Sequence, residues 1–232
     1  MKQQINENEL NNNVAALQGV VIKNIFENAK IIAELHAVLT SPRGQYFRIK
    51  LLQYLKDRLT LEEIERLRKE FGMEESKRHI HKFLNFKLIE TVDSTGKLDD
   101  GYIRTFSGEE AINIVRELER KIGEDCAKKI FEAVLGPNSI KLFLTIFGDD
   151  KQADFGSKEI IYTPIEIGQL ARLFTRSIEG ISSIDKLDDA GLVSYLEDGN
   201  VHANPRRSTG FYYYLKNLYE LLLSNELIIK KS

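Results

Sequence analysis

Between residues 40 and 107 the apolar pattern changes period: three runs at helical spacing are followed by two short strand-like runs around a Gly- and Asp-rich turn. A similar order returns after residue 137. Short helices must each bury one face, and a lone hairpin is too small to be stable without something to pack on. The pattern therefore demands helices gathered around a small sheet, built twice.

In the first copy, "GQYFRIKLLQYLKDR" turns Phe47, Leu51, Leu52 and Leu55 inward, and "TLEEIERLRKEFG" starts with Thr60 as N-cap and Glu63 at the reciprocal position, with Gly72 just past its end. Ser76 to Phe86 predicts a third helix with Ile80, Phe83 and Leu84 inward. "KLIETVDS" and "GYIRTF" predict strands around "TGKLDDG". Ahead of this unit, residues 1–13 are Asn, Gln and Glu with little to bury and are expected to be disordered. Residues 14–39 predict one long amphipathic helix through Leu17, Val21, Ile25, Ile32, Leu35 and Leu39, ended by "TSPRG".

Behind it, residues 108–136 predict a linking and dimerising helix, continuous from Glu109 to Leu135, with Ala111, Ile114, Val115, Leu118, Ile122, Ile130 and Val134 as its stripe. Gly136 and Pro137 end it. The second unit, residues 137–232, predicts helices at "NSIKLFLTIFG" and at "TPIEIGQLARLF", where Thr163, Pro164 and Glu166 set the start. A helix then passes through Gly191 into a strand, and "EDGN" turns the chain back. "GFYYYLKNLYELLLSNELI" begins either as an aromatic strand or directly as a helix. "FLNFKLIETV" and "KLDDAGLVSYL" hold equivalent places, which reads as a diverged internal duplication.

At these residues the chain resembles the winged helix-turn-helix superfamily, closest to regulators of the ArsR and MarR type. "SPRGQYFRIKLLQYL" is similar to that family's first helix, "LTLEEIERLRKEFGM" to its scaffold helix, "SKRHIHKFLNFKLIETV" to its recognition helix, and "DSTGKLDDGYIRT" to its wing. "FSGEEAINIVRELERKIG" resembles the helix that often follows and dimerises. The likeness covers Pro42 to Gly123, with a weaker copy over about Pro137 to Leu223. It implies a mainly α protein with small β-hairpin wings, an α+β class, in which two winged helix-turn-helix domains in tandem are joined by a long helix. Lys87 stands where the family has a Gly before the strand, and Glu74 and Glu75 where it has small polar residues.

The resemblance implies double-stranded DNA as partner. Lys or Arg on a helix in the major groove reads guanine edges, while nearby cations and amides hold phosphate. Arg78 is the first choice for a base contact, beside Ser76, Lys77, His81 and Lys82. Lys97 and Arg104 on the wing are expected near the backbone, with Asp99 and Asp100 opposing them. In the second copy Arg176, Arg206 and Arg207 are the candidates, but Asp185, Asp188 and Asp189 crowd its helix, which favours a protein partner there.

Charge limits the alternatives. Lys+Arg at 33 against Asp+Glu at 35 gives a net charge of -2, so any DNA contact depends on a local patch. Cys126 is the single cysteine, which excludes an intramolecular disulfide and suggests a reducing compartment, the cytoplasm. No signal peptide or membrane span is legible. His79 and His81 diverge on a helix and cannot share a metal ion, and no phosphate loop, nucleophile elbow or carboxylate pair suggests catalysis or a cofactor. The aromatic run Phe211, Tyr212, Tyr213, Tyr214 and Tyr219 is expected to pack rather than stack on bases. The expected function is a dimeric, non-enzymatic DNA-binding transcription regulator. The competing readings are a winged-helix interaction module in a chromosome-organising or other multiprotein assembly, and a plasmid or phage replication initiator.

Overall fold

Thr60 and Glu63 cap each other as their spacing predicts. The Thr60 amide and hydroxyl donate to the Glu63 carboxylate at 2.8 and 2.9 Å, and the Glu63 amide donates to the Thr60 hydroxyl at 3.3 Å. The first two bonds hold the Glu63 carboxyl below its usual range. The computed structural model describes residues 20–40, 45–70, 77–92, 101–134, 136–148, 184–195 and 201–229. Within them lie helices α1 (20–27), α2 (Ala29–Thr40) and α3 (Gln45–Tyr54), strand β1 (Leu59–Thr60), then α4 (Leu61–Glu70), α5 (Lys77–Asn85), β2 (Ile89–Val92) and β3 (Gly101–Arg104). After these come α6 (Phe106–Ile122), α7 (Glu124–Ala133), α8 (Pro137–Gly148), α9 (184–189), β4 (Val193–Tyr195), β5 (Val201–Ala203) and α10 (Pro205–Ser224).

The protein is mainly helical with small antiparallel sheets, an α+β arrangement. The first sheet has the order β1-β3-β2, with Leu59 opposite Tyr102 and Ile89 opposite Arg104. The second pairs β4 with β5, Val193 opposite Ala203. One apolar core runs through both halves, from Ile32 and Leu39 through Leu51, Phe83, Val115 and Phe131 to Phe143, Phe211 and Leu218. Helix α2 is its hub: it packs on α3 and α5 from one side of the sequence and on α8 and α10 from the other.

The helix expected over 14–39 continues through Asn28 within the described residues: the Asn28 amide donates to the Asn24 carbonyl and the Ile32 amide to the Asn28 carbonyl, both at 3.1 Å, and the Asn28 side-chain amide adds a bond to the Asn24 carbonyl at 2.8 Å. One expectation needs correction, and one open reading is decided. The helix expected from Glu109 to Leu135 is two helices. Gly123 takes φ +90, closes α6 with its N–H on the Glu119 carbonyl at 2.8 Å and turns the chain into α7, a conformation only glycine adopts without strain. Of the two starts left open for "GFYYYLKNLYELLLSNELI", strand or helix, the chain takes the helix, which begins upstream at Pro205. Asn204 caps α10 through its side chain and Pro205 takes the first helical position, so Arg206 and Arg207 sit in the first turn. The tail over residues 1–13 and the helix expected at Thr163–Pro164 lie outside the described residues.

The same corner is built twice. At the end of α5 the Lys87 amide donates to the Leu84 carbonyl and the Leu88 amide to the Phe83 carbonyl, both at 2.9 Å. At the end of α9 the Gly191 amide donates to the Asp188 carbonyl at 2.6 Å and the Leu192 amide to the Leu187 carbonyl at 2.9 Å. Past each hairpin the helix cap returns to the same place: the Thr105 amide donates to the Leu88 carbonyl at 3.1 Å, and the Asn204 amide to the Leu192 carbonyl at 2.9 Å. Each cap side chain then accepts from the amide three residues on, Gly108 or Arg207, at 3.1 and 3.2 Å. Lys87 and Gly191 occupy matching left-handed positions, at φ +55 and +68.

A lysine in that conformation is strained where glycine is not. Lys87→Gly should raise the unfolding free energy by about 0.5–1 kcal/mol in urea titrations.

His36 ties α2 to α10 inside the core. Its Nδ1 lies 2.9 Å from the Tyr214 hydroxyl, Thr40 donates to its backbone carbonyl at 2.7 Å, and the Phe131 and Tyr214 rings flank it at 5.8 and 5.7 Å. Burial lowers its pKa to about 4, against weaker opposing bonds from the Val134 and Phe131 backbone. The folded chain therefore keeps the ring neutral while the unfolded chain binds a proton below the ordinary histidine value of 6.5. Stability contributed here is complete above pH 6.5 and declines towards pH 4, by about 3 kcal/mol. His36→Gln should flatten that acid dependence when urea midpoints are compared at pH 7 and pH 4.5.

Candidate nucleic-acid interface

Helix α5 is anchored by Ile80 and Phe83, both buried, with His79 also buried and Leu84 half-buried. His81 and Asn85 are exposed and Lys82 is half-buried. His79 and His81 thus lie on opposite sides, as their spacing requires. Lys77 and Arg78 form the first turn of α5, where the description stops at the backbone, and Ser76, Lys97 and Arg176 lie outside the described residues.

Helix α5 differs in its first turn from three of the chain's helices, while α2, α3 and α8 also begin without a carboxylate. Helices α4, α6 and α7 begin with carboxylates (Glu62 and Glu63, Glu109, and Glu124 and Asp125), which suit the positive end of the helix dipole. The first turn of α5 has no acidic residue and instead carries Lys77 and Arg78. Helix α10 likewise begins with Arg206 and Arg207 and has no carboxylate there. Cations at a helix N-terminus cost a fraction of a kcal/mol each, and an anionic partner removes that cost.

Arg104 does not join this surface. Its backbone amide donates to the Leu55 carbonyl at 2.6 Å, its Nη1 donates to the Leu52 carbonyl at 3.1 Å, and its Nη2 pairs with Glu109. The side chain is 12% exposed. Carbonyls at the end of α3 are left without helical partners, and a guanidinium is suited to several at once. Gly108 makes room for this, because a Cβ there would collide with the Leu88 carbonyl and the Arg104 side chain. Arg104 clamps α3 to the start of α6 and is not a phosphate contact.

Two cations that sequence reasoning passed over are exposed, one at the end of α5 and one over the sheet. Lys87 is exposed at the C-terminal end of α5, and the exposed Arg58 side chain covers Gly101, where β3 pairs with β1 and β2. The Lys87 signal was legible as the missing family glycine. That of Arg58 was not, since only the sheet brings it to Gly101.

The second copy presents a different surface. Asp185 and Asp189 are exposed on α9, and the Tyr195 hydroxyl donates to Asp185 at 3.0 Å. Burial first, and then Asp189, pushes the Asp188 carboxyl up. Arg206 is exposed, while Arg207 is half-buried with its guanidinium over Gly191. Of the aromatic run, Phe211, Tyr212, Tyr214 and Tyr219 are buried, and Phe211 meets Phe143 edge-on at 4.9 Å. Tyr213 faces outward under Lys121 and Lys216. Cys126 is half-buried and free on α7.

Among the described residues no group of His, Cys, Asp or Glu is placed to hold a metal ion, and no helix is long and apolar enough to cross a membrane. Comparison with family models, with curated proteins and with solved structures finds no match. What the fold defines is a mainly helical protein with a small three-stranded antiparallel sheet, beside which lies the basic helix α5.

Replacing Arg104 with Met should destabilise the chain by about 1.5–3 kcal/mol, since the bond from its guanidinium to the Leu52 carbonyl and its pair with Glu109 are lost while the backbone bond to Leu55 remains. Urea denaturation measures that loss. Duplex affinity of the folded fraction should stay unchanged.

Proposed function

We propose that the protein is a DNA-binding transcription regulator of the tandem winged-helix kind, with α4 as scaffold, α5 as recognition helix and the β2–β3 hairpin as wing. The observation that carries this reading is the basic, anchored character of α5: Lys77 and Arg78 open a helix that also carries Lys82 and whose inner face is locked by Ile80 and Phe83. The first turn of a recognition helix is the part that meets base edges. Arg78 reads a base, while Lys77, His81, Lys82 and Lys87 hold phosphate or a neighbouring base. The role is non-catalytic and belongs in the cytoplasm, at the nucleoid.

The acidic face of α9 favours a second role for the second copy. Asp185 and Asp189 repel phosphate, so that copy binds a protein, and an assembly module is the alternative for the whole chain.

Binding of the protein to fluorescent duplex DNA at two salt concentrations, beside Lys77→Ala with Arg78→Ala, tests the reading. The wild type should lose affinity steeply with salt, and the double variant should bind at least tenfold more weakly with a log–log salt slope shallower by about one to two. Absence of duplex binding at low salt would exclude the unliganded chain as a regulator and leave the assembly module.

A further inference from the structure

We infer that the chain is a single-chain pseudo-dimer: the helix of its second copy covers, in cis, the face with which an isolated copy would meet a partner, and the unit that engages DNA is one chain. The last clause rests on the DNA reading; the rest does not.

Helices α6 and α10 follow matching caps, Thr105 and Asn204, at matching corners. They pack on each other, and they run antiparallel. Ser107, two residues past the first cap, donates its hydroxyl to the side-chain carbonyl of Asn225, twenty-one residues past the second, at 2.6 Å. At the other end Gly210, six residues past its cap, lies against Ile122 and Leu118, seventeen and thirteen past theirs; a Cβ on Gly210 would meet Ile122 at 2.9 Å. Any antiparallel pair keeps the sum of such paired positions constant; because these two helices start from equivalent caps, a two-fold axis across the pair relates equal positions on them, as in an isologous dimer interface. The Asn225 amide also donates to the Phe86 carbonyl at 3.1 Å, so the end of α10 is seated on the first copy's corner.

The stripe on 108–136 that was expected to dimerise is therefore satisfied within the chain: Ala111, Ile114, Val115 and Leu118 are buried. The register also fixes a length. The bond between Ser107 and Asn225 places the two caps some 23 residues of helix apart along the pair, roughly 30–35 Å at ~1.5 Å per residue. The two corners are unequal in charge, with Lys77 and Arg78 on α5 against Asp185 and Asp189 on α9. A target contacted by one such chain is a single duplex site with one strongly read end and no palindrome.

The test uses the full chain with Cys126→Ala, Ser107→Cys and Ser224→Cys, the last position neighbouring Asn225. A short bis-maleimide should link α6 to α10 within one chain, so that a denaturing gel shows only monomer mass and a peptide map shows the joined segments. The unmodified chain should sediment at 26.6 kDa across the micromolar range. Links between chains, absence of any link, or a sedimenting dimer would overturn the pseudo-dimer. On a duplex the chain binds, native mass spectrometry should count one protein; two would overturn the single-chain claim for DNA. Failure to bind DNA would sink the regulator reading and leave the link and mass results standing.

Discussion

Gly210 allows α10 to lie against α6, and the rest of the molecule is arranged around that contact. A helix pair needs small residues or grooves where its axes come close, and a side chain at Gly210 would press on Ile122. The pair then carries both corners, the Thr105 and Asn204 caps at its two ends, and through Asn225 it holds the Phe86 carbonyl that closes α5. Helix α2 fills the other side of the core and fastens to α10 through His36 and Tyr214. Both helices that end these corners bury their apolar faces in one core, so the two copies are expected to unfold together and not as independent domains.

On this frame the two copies have taken different surfaces. The first retains a cationic first turn on α5 and accepts backbone strain at Lys87, where the second has the glycine that relieves it. Strain retained at an exposed cation beside a basic helix is understandable if that charge meets phosphate. The second copy keeps the fold of the corner but lines α9 with carboxylates. Its aromatic residues went into the core, where Phe211 and Tyr212 pack on Phe143 and Phe147.

What was legible in the sequence was local. The Thr60–Glu63 cap depends on four residues, and the alignment of "FLNFKLI" with "LDDAGLV" depends on a helix end turning through one left-handed residue, so both could be read from the letters. Gly123 was missed because the apolar stripe continues on both sides of it and periodicity is blind to a bend that keeps the same face inward. A Phe-Tyr-Tyr-Tyr run favours strands and obscures the start of α10, yet Asn204–Pro205 is a readable helix start that outweighs propensity. Arg104 was assigned to the DNA side because nothing near it in sequence reveals the Leu52 carbonyl that holds it. The intramolecular use of α6 was likewise invisible, since an amphipathic stripe does not say whether its partner lies in the same chain.

Native-state hydrogen exchange across a series of low denaturant concentrations tests the shared core most directly. Amides of α6 and α10 should reach the same exchange free energy, merge into one global opening and be the most protected in the chain. Exchange of α10 through a separate, lower-energy opening while α6 stays protected would contradict the account, because it would make the halves two independent domains.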